Sequence, residues 1–102
     1  MLNQVVLVGR ISKDIEFDEE KNVAFITISV PRAYKNSEGI YESDLVKVEL
    51  LEGVAKNAKE YCNKGDIVGV KATIRAEEDN PIRIVADKLT FLSSNNKEES
   101  SN

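Results

Sequence analysis

The 102-residue chain has no histidine, no tryptophan and a single cysteine. Each absence closes off some chemistry. Without histidine, no side chain ordinarily titrates near neutral pH to serve as a general base. Zinc sets built from paired cysteines and histidines are likewise out of reach. The lone Cys62 cannot form an intramolecular disulfide, which points to a reducing cytoplasm. There is no Gly-rich phosphate loop and no nucleophile elbow. The acidic run Asp18-Glu19-Glu20 can bind Mg²⁺ only weakly and reads as a turn carrying solvated charge. We therefore expect no catalysis, no metal and no cofactor. Five glycines and two prolines are too few for low-complexity disorder across the body. No apolar stretch approaches the ~20 residues of a membrane helix, and Met1 leads directly into an alternating run rather than a basic-then-apolar leader. A cytoplasmic chain with no membrane partner is the expectation.

What the chain does contain suits one globular domain. Its length allows a single core, and 41% hydrophobic residues can fill it. Charge is more pointed: 14 Lys and Arg face 18 Asp and Glu, a net charge of −4. Domains that bind phosphate backbones are usually basic, so the overall balance argues against nucleic acid. A local groove can still be positive on an acidic protein. Leaving out Lys97, Glu98 and Glu99 does not change the sign.

Hydrophobic periodicity marks five strands and one helix. Gln4 to Ile11 is a β-branched, mostly apolar run. From Asn22 to Arg32 the period is two, with Ala24, Ile26, Ile28 and Val30 on one face and Val23, Phe25, Thr27 and Ser29 on the other. Pro31 cannot donate to a ladder and should end central pairing. Ala33 to Glu42 reads as a long hairpin loop. In the third strand, Asp44 to Leu51, Val46, Val48 and Leu50 should face inward and Leu45, Lys47, Glu49 and Leu51 outward. Val54, Ala58, Tyr61 and Cys62 then fall on one helical stripe over roughly residues 53–63, closed by Lys64 and Gly65. Alternation resumes from Asp66 to Ala76, with Val68, Val70, Ala72 and Ile74 inward. The acidic turn Glu77-Glu78-Asp79-Asn80-Pro81 leads into a last strand, Ile82 to Leu92. Residues 1–92 are expected to form the domain and 93–102 a disordered polar tail. Five strands with a helix between the third and fourth is the order of the OB-fold, an all-β Greek-key barrel with one helix. An SH3-like barrel, the competing architecture, lacks that helix.

Four segments carry a family resemblance. Met1-Leu-Asn-Gln-Val-Val-Leu-Val-Gly-Arg10, Ile28-Ser-Val-Pro-Arg-Ala-Tyr34, Lys56-Asn-Ala-Lys-Glu-Tyr61 followed by Lys64-Gly65, and Val85-Ala-Asp-Lys-Leu-Thr-Phe-Leu92 resemble the bacterial single-stranded-DNA-binding proteins. The segments occur in order at the family's spacing and span residues 1–92. The resemblance implies a non-enzymatic binder of single-stranded DNA, commonly a homotetramer, acting in replication, repair or recombination. It also implies binding by base stacking on aromatic rings along a basic groove. Position by position, Tyr34 matches an aromatic site in the loop after the second strand, and Leu45 and Leu51 match two aromatic sites of the third strand. Asp79 falls near a fourth. Only Tyr34 keeps a ring. Lys64 and Arg75 match basic positions, whereas Glu77 and Glu78 stand where the family tends to be basic. The last turn is shorter than usual, and the tail lacks the family's acidic, Phe-ended recruitment signal. No tail-mediated recruitment is expected.

The candidate DNA-binding residues are thus Tyr34, Arg32, Lys35, Lys47, Leu45, Leu51, Lys71, Arg75, Arg10 and Lys64. Each has a plainer reading. Tyr34 can pack on its own hairpin, and Tyr41 is more ambiguous still. Surface lysines mostly serve solvation, and Glu49 would oppose a phosphate on the face that Lys47 shares. Leu45 and Leu51 can offer apolar contact to bases or form part of an oligomer interface. Phe25, also outward, suits an interface slightly better than stacking. Cys62 reads as a core thiol. Weaker single-stranded DNA binding than is usual for the family is the leading expectation, in a homo-oligomer, either tetramer or dimer. The alternatives are an OB-fold adaptor with little DNA binding and an accessory subunit of replication restart.

Overall fold

In the computed structural model, which describes residues 1–94, period-two alternation becomes a closed barrel. The strands are β1 (Val5–Ile11), β2 (Glu16–Asp18), β3 (Val23–Lys35), β4 (Tyr41–Leu51), β5 (Ile67–Arg75) and β6 (Arg83–Ser93), with one helix, α1 (Glu52–Tyr61), between β4 and β5. They form one sheet in the order β1-β5-β6-β4-β3-β2, which a further β1–β3 pairing closes. This is the expected OB-fold. The helix joins the same two long strands as expected; the short β2, paired with Val23–Phe25, raises the strand count to six. Asp18 therefore ends a strand, and its Oδ1 accepts from the Lys21 amide across the turn that Glu19 and Glu20 begin. A three-residue strand is too short to leave a periodic signature.

The core follows the alternation. Ala24, Ile26 and Ile28 from β3 meet Val48 and Leu50 from β4, and Val68, Val70 and Ala72 from β5, all essentially without solvent exposure. Fully burying a side chain of the Ile or Leu class contributes about 1.5–3 kcal/mol, so this layer supplies most of the drive to fold. The expected helix stripe holds at Ala58 and Cys62 and in part at Val54, and fails at Tyr61. Ala55, Ala58 and Cys62 are buried, and Tyr61 is 66% exposed at the rim. Ile74, expected inward, is 40% exposed because β5 outruns the barrel there. Its backbone is held by Asn3, whose Nδ2 donates to the Ile74 carbonyl at 2.8 Å while Oδ1 accepts from the Ile74 amide at 2.9 Å.

Closure depends on one close approach. A Cβ on Gly9 would lie 2.4 Å from the Ser29 carbonyl oxygen, so only glycine lets β1 cross β3. β1 is then locked to the turn before β5: the Ile11 amide donates to the Asp66 carbonyl and the Gly65 amide to the Ile11 carbonyl. Gly65, at φ 96°, supplies the left-handed step. Only Arg10 and Ile11 of β1 pair with β3, while Val5 to Arg10 pair with β5. Among the described residues, the first half of β1 therefore has one open edge.

Half of the segment from Ala33 to Glu42 is strand, not loop. Pairing becomes irregular past Pro31, where a ladder donor is missing, and resumes at Lys35 opposite Tyr41. Only residues 36–40 turn. Asn36 organises that turn: its Oδ1 accepts from the amides of Glu38 (2.9 Å) and Ile40 (3.0 Å), and Gly39 takes φ 79°. Every residue from Pro31 to Lys35 and from Tyr41 to Asp44 is exposed, so this hairpin is an arm standing off the barrel. β6 ends at Ser93; the remaining polar-tail residues, 95–102, lie outside the described residues.

Candidate nucleic-acid interface

The arm carries two exposed rings, Tyr34 and Tyr41, and a partly neutralised cation. Tyr34 is 68% exposed. Arg32 spans the hairpin, its Nη2 donating to Asp44 Oδ1 at 2.9 Å, with Glu42 3.8 Å away. The hydrogen bond to Asp44 raises the Arg32 pKa above its usual value. The same bond holds the Asp44 carboxyl below the ordinary aspartate value. Arg32 thus stiffens the arm, but much of its charge is already matched. Lys35 places its ammonium 5.6 Å from the centre of the Tyr41 ring. Of the three basic and aromatic candidates here, Tyr34 and Lys35 are the ones without a carboxylate partner among the described residues.

Below the arm, the outer faces of β3 and β4 present a second cluster. Register places Phe25 opposite Glu49, Thr27 opposite Lys47, and Ser29 opposite Leu45. Leu45 is 65% exposed, whereas Leu51, opposite Val23 at the helix end, is partly buried. The Lys47 ammonium lies 4.6 Å from the Phe25 ring centre, a contact of about 0.5–1 kcal/mol at such an exposed site. An open cleft of about 270 Å³ runs beside this row, lined by Phe25, Lys47, Glu49 and the β6 approach Pro81, Ile82, Arg83 and Ile84. Arg83 is hydrogen-bonded to Glu49, and that bond raises the arginine's pKa. Arg75 is the register partner of Arg83 on β5, so two guanidinium groups start from adjacent strands at this rim.

The other candidates lie elsewhere. Lys71 pairs with Val6 on one side and Lys88 on the other. It lines a shallow depression with Val8, Gly69, Thr90 and Leu92, on the β1–β5–β6 side of the barrel. Arg10 donates to the Gly65 carbonyl at 2.7 Å and borders a groove of about 400 Å³ with Val8, Ser29, Pro31, Ser43 and Ile67. Lys64 sits past the helix, in a depression with Asp14, Ile15, Phe17, Lys59 and Asn63. The ten candidates therefore fall into separate clusters, and the arm and the β3–β4 face hold most of them.

Sequence reasoning passed over Arg83. It follows Pro81 by two residues and shows no periodicity; only the parallel pairing of Glu49 with Val85 brings β6 beside β4. A bulge at Asp87, skipped between the pairs Lys71–Lys88 and Ala72–Ala86, resets which β6 side chains face out. No group of three or more His, Cys, Asp or Glu that could hold a metal ion converges among the described residues. Cys62 is buried, and desolvation pushes its thiol pKa up, away from a reactive thiolate. Among the described residues no helix is long and apolar enough to cross a membrane.

Comparison with known proteins agrees with the barrel. Single-stranded DNA-binding protein B of Bacillus subtilis (strain 168) is 35% identical over 103 residues, covering 90% of this chain and 91% of that protein. Single-stranded DNA-binding protein 2 of Staphylococcus aureus (strain COL) is 35% identical over 111 residues, 96% of this chain and 80% of its own. Two solved structures share the fold. A Plasmodium falciparum SSB complex with ssDNA superposes with a TM-score of 0.70 at 19% identity, covering 91% of this chain and 96% of that one. The small single-stranded DNA-binding protein of Streptomyces coelicolor also gives 0.70, at 17% identity, over 90% and 95%. The model of the single-strand binding protein family matches residues 2–92, and the chain belongs to that family.

Proposed function

We propose that the protein binds single-stranded DNA in replication, repair or recombination, as a binder with no chemical step of its own. The observation that carries this reading is the arm. It holds an exposed ring, Tyr34, beside an uncompensated Lys35, directly above the β3–β4 face with Lys47 and Leu45. Stacking contributes about 1–3 kcal/mol per base, and flexible lysines supply the salt-dependent phosphate contacts. The affinity should be lower than is usual for the family. Leu45 and Leu51 offer apolar surface without a π-face, Arg32 is held by Asp44, and the chain is acidic overall. The family match over nearly the whole barrel favours this reading over an adaptor role.

The protein should act as a homo-oligomer. The open edge of β1 lies beside exposed Val6 (67%), Val8 (53%) and Leu92 (51%), an apolar strip with backbone groups free to pair with a second copy. A cytoplasmic location fits both the ligand and the single buried thiol. The test is a salt titration of oligo-deoxythymidylate binding on wild type beside Tyr34→Ala. Affinity should fall linearly in log–log form as salt rises, and Tyr34→Ala should weaken binding about tenfold. No binding at low salt, together with an inert Tyr34→Ala, would overturn the reading.

A further inference from the structure

We propose that Phe25 and the Glu49–Arg83 pair form a base subsite that stacks one nucleobase and favours bases carrying an exocyclic amino group. The inference rests on the single-stranded DNA reading above and adds a ring and a preference to it. Phe25 lines an open cleft of about 270 Å³ on the outer face, walled opposite by Pro81 and Ile82. An apolar wall facing an aromatic ring suits a planar base, because stacking needs a π-face on only one side.

The surroundings of Phe25 speak against burial in a subunit contact. Lys47, Glu49 and Arg83 line the same cleft, and the centres of subunit interfaces are depleted of charge. Lys47 now rests over the Phe25 ring, but a stacked base interacts with the ring more strongly than an exposed ammonium does. A base entering the cleft would displace the ammonium, whose long flexible stem can then follow the phosphate.

Glu49 provides the preference. Its side chain is only 14% exposed, and Arg83 holds Oε2. Oε1 remains as an acceptor beside Phe25, the directly opposed residue on β3. A carboxylate accepts hydrogen bonds and cannot give one, so it matches the amino group of cytosine, adenine or guanine. Thymine and uracil present a carbonyl oxygen at the position where cytosine carries its amino group, and two acceptors repel. The remaining Arg83 N–H groups can meet the ring acceptors of an amino-bearing base.

The experiment compares fluorescently labelled oligo-deoxycytidylate and oligo-deoxyuridylate of about 12 nucleotides, within the span of one OB-fold, by anisotropy at low salt. These pyrimidines differ at the amino-versus-carbonyl position while both stack weakly on themselves. Wild type should bind the cytidylate several-fold more tightly. Phe25→Leu, which keeps the bulk and loses the ring, should weaken binding of both about tenfold, and Phe25→Trp should retain it. Glu49→Gln, which can donate as well as accept, should bring the ratio of the two affinities close to one. Equal binding of both oligomers by wild type overturns the preference, and an inert Phe25→Leu overturns the subsite. If in those cases Tyr34→Ala still weakens binding, the DNA-binding reading stands without the subsite. If wild type binds neither oligomer, both fall together. Should Glu49→Gln fail to fold, the wild-type ratio and the Phe25 pair still decide.

Discussion

The β3–β4 ladder is held in two different ways along its length. In the body, Ile26 and Ile28 face Val48 and Val46, and three of the four are fully buried. Slipping the register there by one residue would turn that set out to water, so burial alone specifies it. In the arm no residue of either strand is buried, and the pairing rests on Arg32 with Asp44 and Glu42, and on Asn36 with Glu42 at 3.0 Å. Exposed contacts of this kind are individually weak and screened by salt. The same pair of strands is therefore rigid where it builds the core and compliant in the arm that carries Tyr34 and Lys35. A single strand of nucleic acid has no fixed shape, and a compliant arm can follow it.

Substitutions in each region should break that contrast into measurable parts. The largest effect is expected in the body: Ile26→Ala should cost about 2–5 kcal/mol in urea denaturation. A loss below about 1 kcal/mol would mean that the body relaxes as readily as the arm. Gly9→Ala comes next, at about 1–3 kcal/mol, because its methyl group would push against the Ser29 carbonyl where the barrel closes. An unchanged melting temperature would show that β1 can move away from β3. Arg32→Gln should leave global stability almost unaltered while amide exchange speeds up from Ala33 to Glu42; protection equal to wild type would assign the arm's order to something other than its ion pairs. The smallest effect is acid softening of the arm. The Asp44 carboxyl titrates below its usual value, so its pairing contributes fully above the ordinary aspartate range and is lost as pH falls through the lower folded value. Carboxyl carbon shifts in NMR should place its midpoint below that of an unstructured aspartate. A normal or raised midpoint would contradict the Arg32 contact.

The body was also the more legible region. Strand alternation identified Ala24, Ile26, Ile28, Val48, Leu50, Val68, Val70 and Ala72 as inward, and all are buried. It misjudged Ile74, on a strand that extends past the core, and the helical period misjudged Tyr61, which lies beside the buried stripe of Ala55, Ala58 and Cys62. The arm read as a loop because Lys, Asn, Ser and Gly are turn formers by composition. Nothing local indicates that cross-strand ion pairs will extend the ladder. For the candidate interface, Tyr34, Lys35 and Lys47 could be found from position and resemblance. That Arg32 is paired, and that Lys71, Arg10 and Lys64 belong to other faces, depends on curvature that a linear pattern does not encode.

By itself, then, the sequence determined the barrel and most of its inward set. Burial of apolar side chains imposes a period on the chain, and that period survives in the order of residues. Only the tertiary structure decided which charges meet. Glu49 and Arg83 are 34 positions apart and share a cleft with Phe25 because β6 runs parallel to β4 after a helix and a strand have intervened. Contacts of that kind follow from how the sheet closes, and closure is a property of all six strands together.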